Sequence, residues 1–357
     1  MTGVRSRQRR GATGPVPPPT PHPMSESRFR PFAWGVFIYG FLVIQWGYFL
    51  RISESGDGCG TDWPLCHGAV VPDAPPFATF VEFTHRLTSG IVLLLVILMA
   101  IWAFRAFPRG APVRKAAGAA LLFTITESLF GAVLVVLGWV AGDVSTGRIL
   151  IRPIHVTNTF LLLGALAATA WWARRPPGTP LRPLREALRP AALPILGVLA
   201  LGWTGSWTGL AATAFPHETL AEGMGQYVDP EHILIWLRMS HPVLALAVIW
   251  FVVRMARRTG PGEDSVRQGL ARAAAVLALV QLVVGPATIL LLNPIWTRLG
   301  HLVLGDLLWV ALVWLVAERM GSTGRNLAAP VGEEEAAHAR TRPHKPLRTP
   351  PSEALPS

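Results

Sequence analysis

The chain has 357 residues, of which 51% are hydrophobic and only 15% charged, and the apolar residues fall in long uninterrupted blocks. That distribution excludes a water-soluble globular domain and indicates a polytopic membrane protein. The net charge of +11 does not call for a nucleic-acid partner, because the basic residues segregate by loop instead of gathering on one face.

Residues 1–30, basic and rich in proline (GPVPPPTPHP), cannot bury enough apolar surface to fold and predict a disordered tail. They carry no convincing A-x-A cleavage site, so the first helix is expected to be an uncleaved anchor. Eight apolar blocks follow, at 32–50, 82–104, 116–139, 153–173, 190–212, 233–253, 271–292 and 299–317. Each matches the ~20 residues needed to cross ~30 Å of hydrocarbon. Residues 319–357 predict a second disordered tail. With the N-terminus inside, 26 Lys and Arg residues fall on the inner side and six on the outer. The positive-inside rule then puts both termini in the cytoplasm of a multi-pass plasma-membrane protein surrounded by lipid.

The two cysteines, Cys59 and Cys66, share the first outer loop, SESGDGCGTDWPLCHGAVVP. An outer loop is an oxidising location, and Gly60 and Pro64 can supply the turn that a disulfide needs. A disulfide is the first reading, either as a structural clip or as a dithiol/disulfide couple with a redox role. Zinc is disfavoured, since only His67 adjoins the pair.

The informative histidines are His85, His155, His241 and His301, one in each even-numbered helix and each near its outer end. Single intramembrane histidines are often packing residues, but four at matching depth point to ligation. Each pair, His85 with His155 and His241 with His301, comes from helices two apart in sequence, which can face each other across a bundle. Two opposed imidazoles suit the axial positions of a haem iron, whereas zinc or copper wants three or four close ligands.

The chain also reads as a repeat. Helix two (EFTHRLTSGIVLLL) aligns with helix six (LRMSHPVLALAVIW), and helix four (IRPIHVTNTFLLLGAL) with helix eight (TRLGHLVLGDLLWVAL). The expected fold is all-α, with eight transmembrane helices forming two pseudo-symmetric four-helix bundles, residues 31–175 and 176–318. The halves differ at the first histidine. Glu82 stands three residues before His85, on the same helix face, and Arg86 follows it, whereas helix six offers Arg238 and Pro242. Glu82 is a candidate proton acceptor or stabiliser of developing positive charge, or else a salt-bridge partner of Arg86 or Arg51. Arg86 suits a haem propionate, with Arg152 and Arg238 as weaker candidates. Glu127 and its counterpart Gln281 could hydrogen-bond between helices or help proton movement, with the structural role the first reading, and His217 and His232, in or beside the third outer loop, read as surface residues.

The loop GDGCGTDWPLCHG, the E-x-x-H-R of Glu82 to Arg86, and the helices of His155, His241 and His301 together resemble the haem A synthase family of cytochrome oxidase assembly proteins. The resemblance covers residues 32 to 317. It implies that His241 and His301 ligate a haem b, that His85 and His155 hold haem O as substrate, and that Glu82 is the catalytic carboxylate. The implied reaction oxidises the C8 methyl of haem O to a formyl group. It implies haem O, and the prenyltransferase that makes it, as partners; it names no electron acceptor and leaves a homo-oligomer open. The rival reading is a non-catalytic di-haem electron carrier, which has no need of Glu82. A prenyltransferase is disfavoured because the chain has no paired aspartate-rich motif for magnesium diphosphate.

Overall fold

A computed structural model describes residues 23–176, 178–260 and 263–321. Most of both tails lies outside these residues. Eleven helices are found among them: α1 (Pro23–Ile52), α2 (Phe77–Ala106), α3 (Pro112–Val136), α4 (Thr146–Trp172), α5 (Leu184–Leu188), α6 (Ala192–Ala214), α7 (Leu220–Gly225), α8 (Ile233–Leu237), α9 (Ser240–Arg258), α10 (Ser265–Leu290) and α11 (Ile295–Met320). They supply eight spans long and apolar enough to cross a membrane, with α8 and α9 sharing one. The chain is an all-helical, multi-pass membrane protein.

Two boundaries differ from expectation. The first helix begins at Pro23, ahead of the expected boundary at 31. Phe29 explains the extension: it is fully buried against Trp102 and Phe107 at the far end of α2, so the first turns are docked. The sixth span is broken at Arg238 and Met239. Pro242 has no N–H to give the Arg238 carbonyl, and the Thr208 hydroxyl donates to that carbonyl instead, at 3.3 Å.

Helix α1 packs on α2 and α4, α2 on α3, and α3 on α4; α6 packs on α9, α9 on α10, and α10 on α11. Between these groups α4 lies against α6 and α11, and α1 against α11. The α4 and α11 spans are the most buried and form the centre, whereas α3 is the least buried and lies at the periphery. Hydrocarbon offers no hydrophobic drive for helix association, so close approach and polar bonds must hold this seam. Gly164 admits the Trp309 ring, and the indole N–H groups of Trp309 and Trp314 donate to the Phe160 and Ala167 carbonyls at 2.6 and 2.9 Å. A second tie joins α1 to α11. Asp306, 1% exposed, accepts from Gln45 Nε2 at 2.7 Å and from the Tyr48 hydroxyl at 3.2 Å.

Candidate functional site

The loop of residues 53–76, between α1 and α2, folds back onto the start of α2. Cys59 and Cys66 are joined in a disulfide, with Cα atoms 4.4 Å apart. Gly58 lies so close to the Ala78 backbone that no Cβ could be accommodated, and its carbonyl accepts from Thr79 Oγ1 at 2.5 Å. This contact brings the Cys59 N–H to Glu82 Oε2, at 2.7 Å. The other carboxylate oxygen accepts from Arg86 Nε at 3.1 Å and from an Arg86 terminal nitrogen at 2.5 Å. The remaining terminal nitrogen of Arg86 donates to the Asp62 and Leu65 carbonyls. Glu82, 2% exposed, is thus clamped on both oxygens. Arg86 has spent its guanidinium on Glu82 and the loop, so a propionate would have to displace one of these contacts. Arg51 contacts His155 instead of Glu82.

Behind Glu82 lies a cavity of about 830 Å³, lined by Glu82, His85, Arg86, Glu127, His155 and Arg152 among mostly apolar neighbours. Such a volume and lining suit a sizeable cofactor or ligand. The His85 ring leans on α1 at Gly47, where an added Cβ would stand 2.8 Å from Cε1. Its Nδ1 is buried without a hydrogen-bond partner among the described residues. His155 is held at both ends, with Nε2 3.1 Å from Glu127 Oε1 and Nδ1 3.0 Å from an Arg51 nitrogen. Since Arg51 can only donate, Nδ1 accepts and Nε2–H donates to the carboxylate. Glu127 also accepts from Asn158 Nδ2 at 2.7 Å and Thr159 Oγ1 at 2.6 Å, so it does bond between helices, and it orients His155 as well. To ligate iron, His155 would exchange one of its two contacts for the metal.

The second pair is simpler. The rings of His241 (α9) and His301 (α11) meet in an edge-type arrangement, with centres 6.1 Å apart and planes at 74°. A metal-bound imidazole nitrogen lies about 2 Å from its metal, so two opposed imidazoles put their ring centres about 6 Å apart. The pair therefore fits a bis-histidine iron. Thr204 Oγ1 lies 3.2 Å from His241 Nδ1, and His301 Nδ1 is buried with no partner among the described residues. Gln281 donates to the His301 carbonyl at 2.8 Å. Gly205 and Gly285 leave room beside the two rings, as Gly47 does beside His85.

The sequence reading missed these glycines. Gly47 and Gly205 stand 158 residues apart, close to the repeat offset of helices two and six, and that spacing was the available signal. It also missed Arg51 as a partner of His155, and the buried Asp306, whose signal was a lone acid in an apolar span. Neither His217 nor His232 is a fully solvated surface residue. His217 is half-buried over Gly223, while His232 Nδ1 caps α8 by accepting from the Leu234 N–H at 3.1 Å and its ring stacks on Phe215. Arg238 is engaged by Gln226 and the Ala211 carbonyl, at 3.2 and 3.3 Å.

Comparison with known proteins places this architecture. A family model described as Cytochrome oxidase assembly protein matches residues 30–313. The chain is 40% identical over 324 residues to a Protoheme IX farnesyltransferase of Thermus thermophilus, covering 88% of this chain and 52% of that protein. It therefore spans about half the length of that relative. It is 26% identical over 284 residues to a Heme A synthase of Halalkalibacterium halodurans, covering 77% of this chain and 91% of that one. A Heme A synthase of Shouchella clausii is 45% identical over 97 residues, 27% of this chain and 32% of that one. The chain belongs to the COX15-CtaA family of cytochrome oxidase assembly proteins.

Proposed function

We propose that the chain is a haem A synthase that oxidises the C8 methyl of haem O to a formyl group. In this reading haem O occupies the cavity between His85 and His155, and haem b is held by His241 and His301. The observation that carries the reading is the clamped Glu82 at the wall of the first cavity, which helix six does not reproduce. An electron carrier would need the two histidine pairs and no such carboxylate. The prenyl-transfer name belongs to a relative about half of whose length has no counterpart here, and this chain has no aspartate-rich pair to hold a magnesium diphosphate.

The iron porphyrins would supply the redox chemistry, which no side chain here can provide. The protein's own groups position and polarise. The Cys59 N–H and Arg86 fix the Glu82 carboxylate, so its negative charge stands at a constant place at the outer end of the cavity, suited to stabilising positive charge on a reacting carbon or accepting a proton. Glu127 and Arg51 orient His155, and Gly47 sets the position of His85.

The test is to express the protein with a haem O source and identify the extracted haems by mass. Haem A should accumulate with the wild type. With Glu82→Ala it should fall by about two orders of magnitude while haem b is retained. Haem b and haem O without haem A in the wild type would refute the enzymatic reading.

A further inference from the structure

Four arginines line the cavity, Arg51, Arg86, Arg148 and Arg152, against three glutamates, Glu54, Glu82 and Glu127. Glu82 is taken by Arg86 and Glu127 by His155, which leaves Glu54 as the acid nearest the other three arginines, at the outer ends of α1 and α4. The charges that bear on Arg152 are those of Arg51, Arg148 and Arg298, with Glu54 opposing them. No carboxylate lies within ion-pair distance of Arg51, Arg148, Arg152 or Arg298 among the described residues. Arg51 spends one nitrogen on His155, and Arg148 donates to the Asp143 carbonyl at 2.5 Å. Arg152 reaches across to α6, where its NH2 group would lie 3.9 Å from a Cβ on Gly209. Its NH1 group is buried and has no partner at all among the described residues. A half-buried guanidinium with one nitrogen fully buried and unpartnered, set among like charges, is costly unless an anion completes it, and in a membrane span such a residue marks a ligand site.

We propose that Arg152, backed by Arg51 and Arg148, is the receptor for a carboxylate of the porphyrin. This inference rests on the haem reading of the cavity. Arg86, the obvious candidate from sequence, has spent its donors on Glu82 and the loop. Arg152 precedes His155 by one helical turn, so a ring bound at that histidine presents its carboxylate edge to the arginine. Arg298 stands at the same spacing before His301, an equivalent placement on α11. The consequence is regiochemical. The C8 methyl of haem O shares a pyrrole ring with a propionate, so fixing that carboxylate at the outer end of the cavity fixes which methyl is turned to the end where Glu82 stands.

A lipid phosphate offers similar charged oxygens, and the test separates the two. The full-length protein carrying its resident haem is titrated with iron protoporphyrin IX and, separately, with its dimethyl ester, following the Soret band. The wild type should prefer the diacid. In Arg152→Gln the diacid should bind at least tenfold more weakly and the diester as before, since a charge-assisted hydrogen bond is lost. Arg152→Lys, which keeps the charge but not the two-pronged fork, should fall between. An unchanged resident-haem spectrum confirms that the variants are folded. The proposal is overturned if the wild type binds the diacid and the diester equally. It is overturned equally if Arg152→Gln keeps the wild-type preference, as it would if Arg152 served a lipid. An Arg152-dependent preference in a protein that never makes haem A would keep the receptor and discard the enzyme.

Discussion

Gly47→Ala is the sharpest probe of the first site. The added Cβ would stand 2.8 Å from His85 Cε1 and 3.3 Å from Nε2. Carbon atoms pack best at ~3.5–4.0 Å, so the ring must retreat by about 1 Å. It can do so only toward the cavity or by tilting α2 away from α1, where overpacking costs about 1–3 kcal/mol. A displacement of that size at a reacting centre lowers rates by about a hundredfold. The control lies on the same helix: a Cβ at Gly35 meets nothing within 4 Å, so Gly35→Ala should be neutral or slightly stabilising. Both variants, co-expressed with a haem O source, are assayed for haem A by mass and for the resident haem by absorbance. The expected result is loss of haem A in Gly47→Ala alone, with the resident haem unchanged in both. Wild-type conversion in Gly47→Ala would refute the reasoning, because it would mean that the position of His85 does not matter.

On the proposed haem b assignment, replacing His241 or His301 by Ala should abolish a low-spin bis-histidine spectrum of the purified protein, and an unchanged spectrum would move the ligands elsewhere. The double variant Cys59→Ser with Cys66→Ser removes a small ring worth about 2.5 kcal/mol in the loop-entropy account. It should lower the thermal midpoint and loosen the loop that holds Glu82 and Arg86, read as faster hydrogen exchange at residues 58–66; unchanged exchange would show that the loop holds without its clip. Trp309→Phe deletes the bond to the Phe160 carbonyl and should cost about 0.6 kcal/mol in a detergent unfolding titration. No measurable change there would mean that shape alone holds the seam.

The spans and the pairing of His241 with His301 were legible because both follow from one-dimensional periodicity: apolar length sets the spans, and depth from the helix ends sets the histidines. Glu82 could be singled out by comparing one half with the other. What the clamp does to it could not. The Cys59 N–H and the Asp62 and Leu65 carbonyls reach Glu82 and Arg86 only because the loop turns back at Gly58, and such backbone donors leave no trace in residue identity. For the same reason Arg86 read as a free guanidinium and Arg152 as a weaker one, while the structure orders their available donors the other way. The break at Arg238 was readable, since Pro242 tolerates only the first turn of a helix, yet a continuous apolar block outweighed it. Gly47 was hidden because a small residue in an apolar helix means something only when the neighbour it makes room for is known.

The tie between Asp306 and the pair Gln45 and Tyr48 bears on biogenesis. The carboxyl sits on α11, and both of its donors sit on α1, 261 and 258 residues earlier in the chain. Until α11 returns to α1, an acid in hydrocarbon has no partner, at a cost of several kcal/mol. The α1–α11 tie therefore forms only once both helices are made, and a copy truncated before residue 295 leaves Gln45 and Tyr48 without their acceptor, a ready mark of an unfinished molecule.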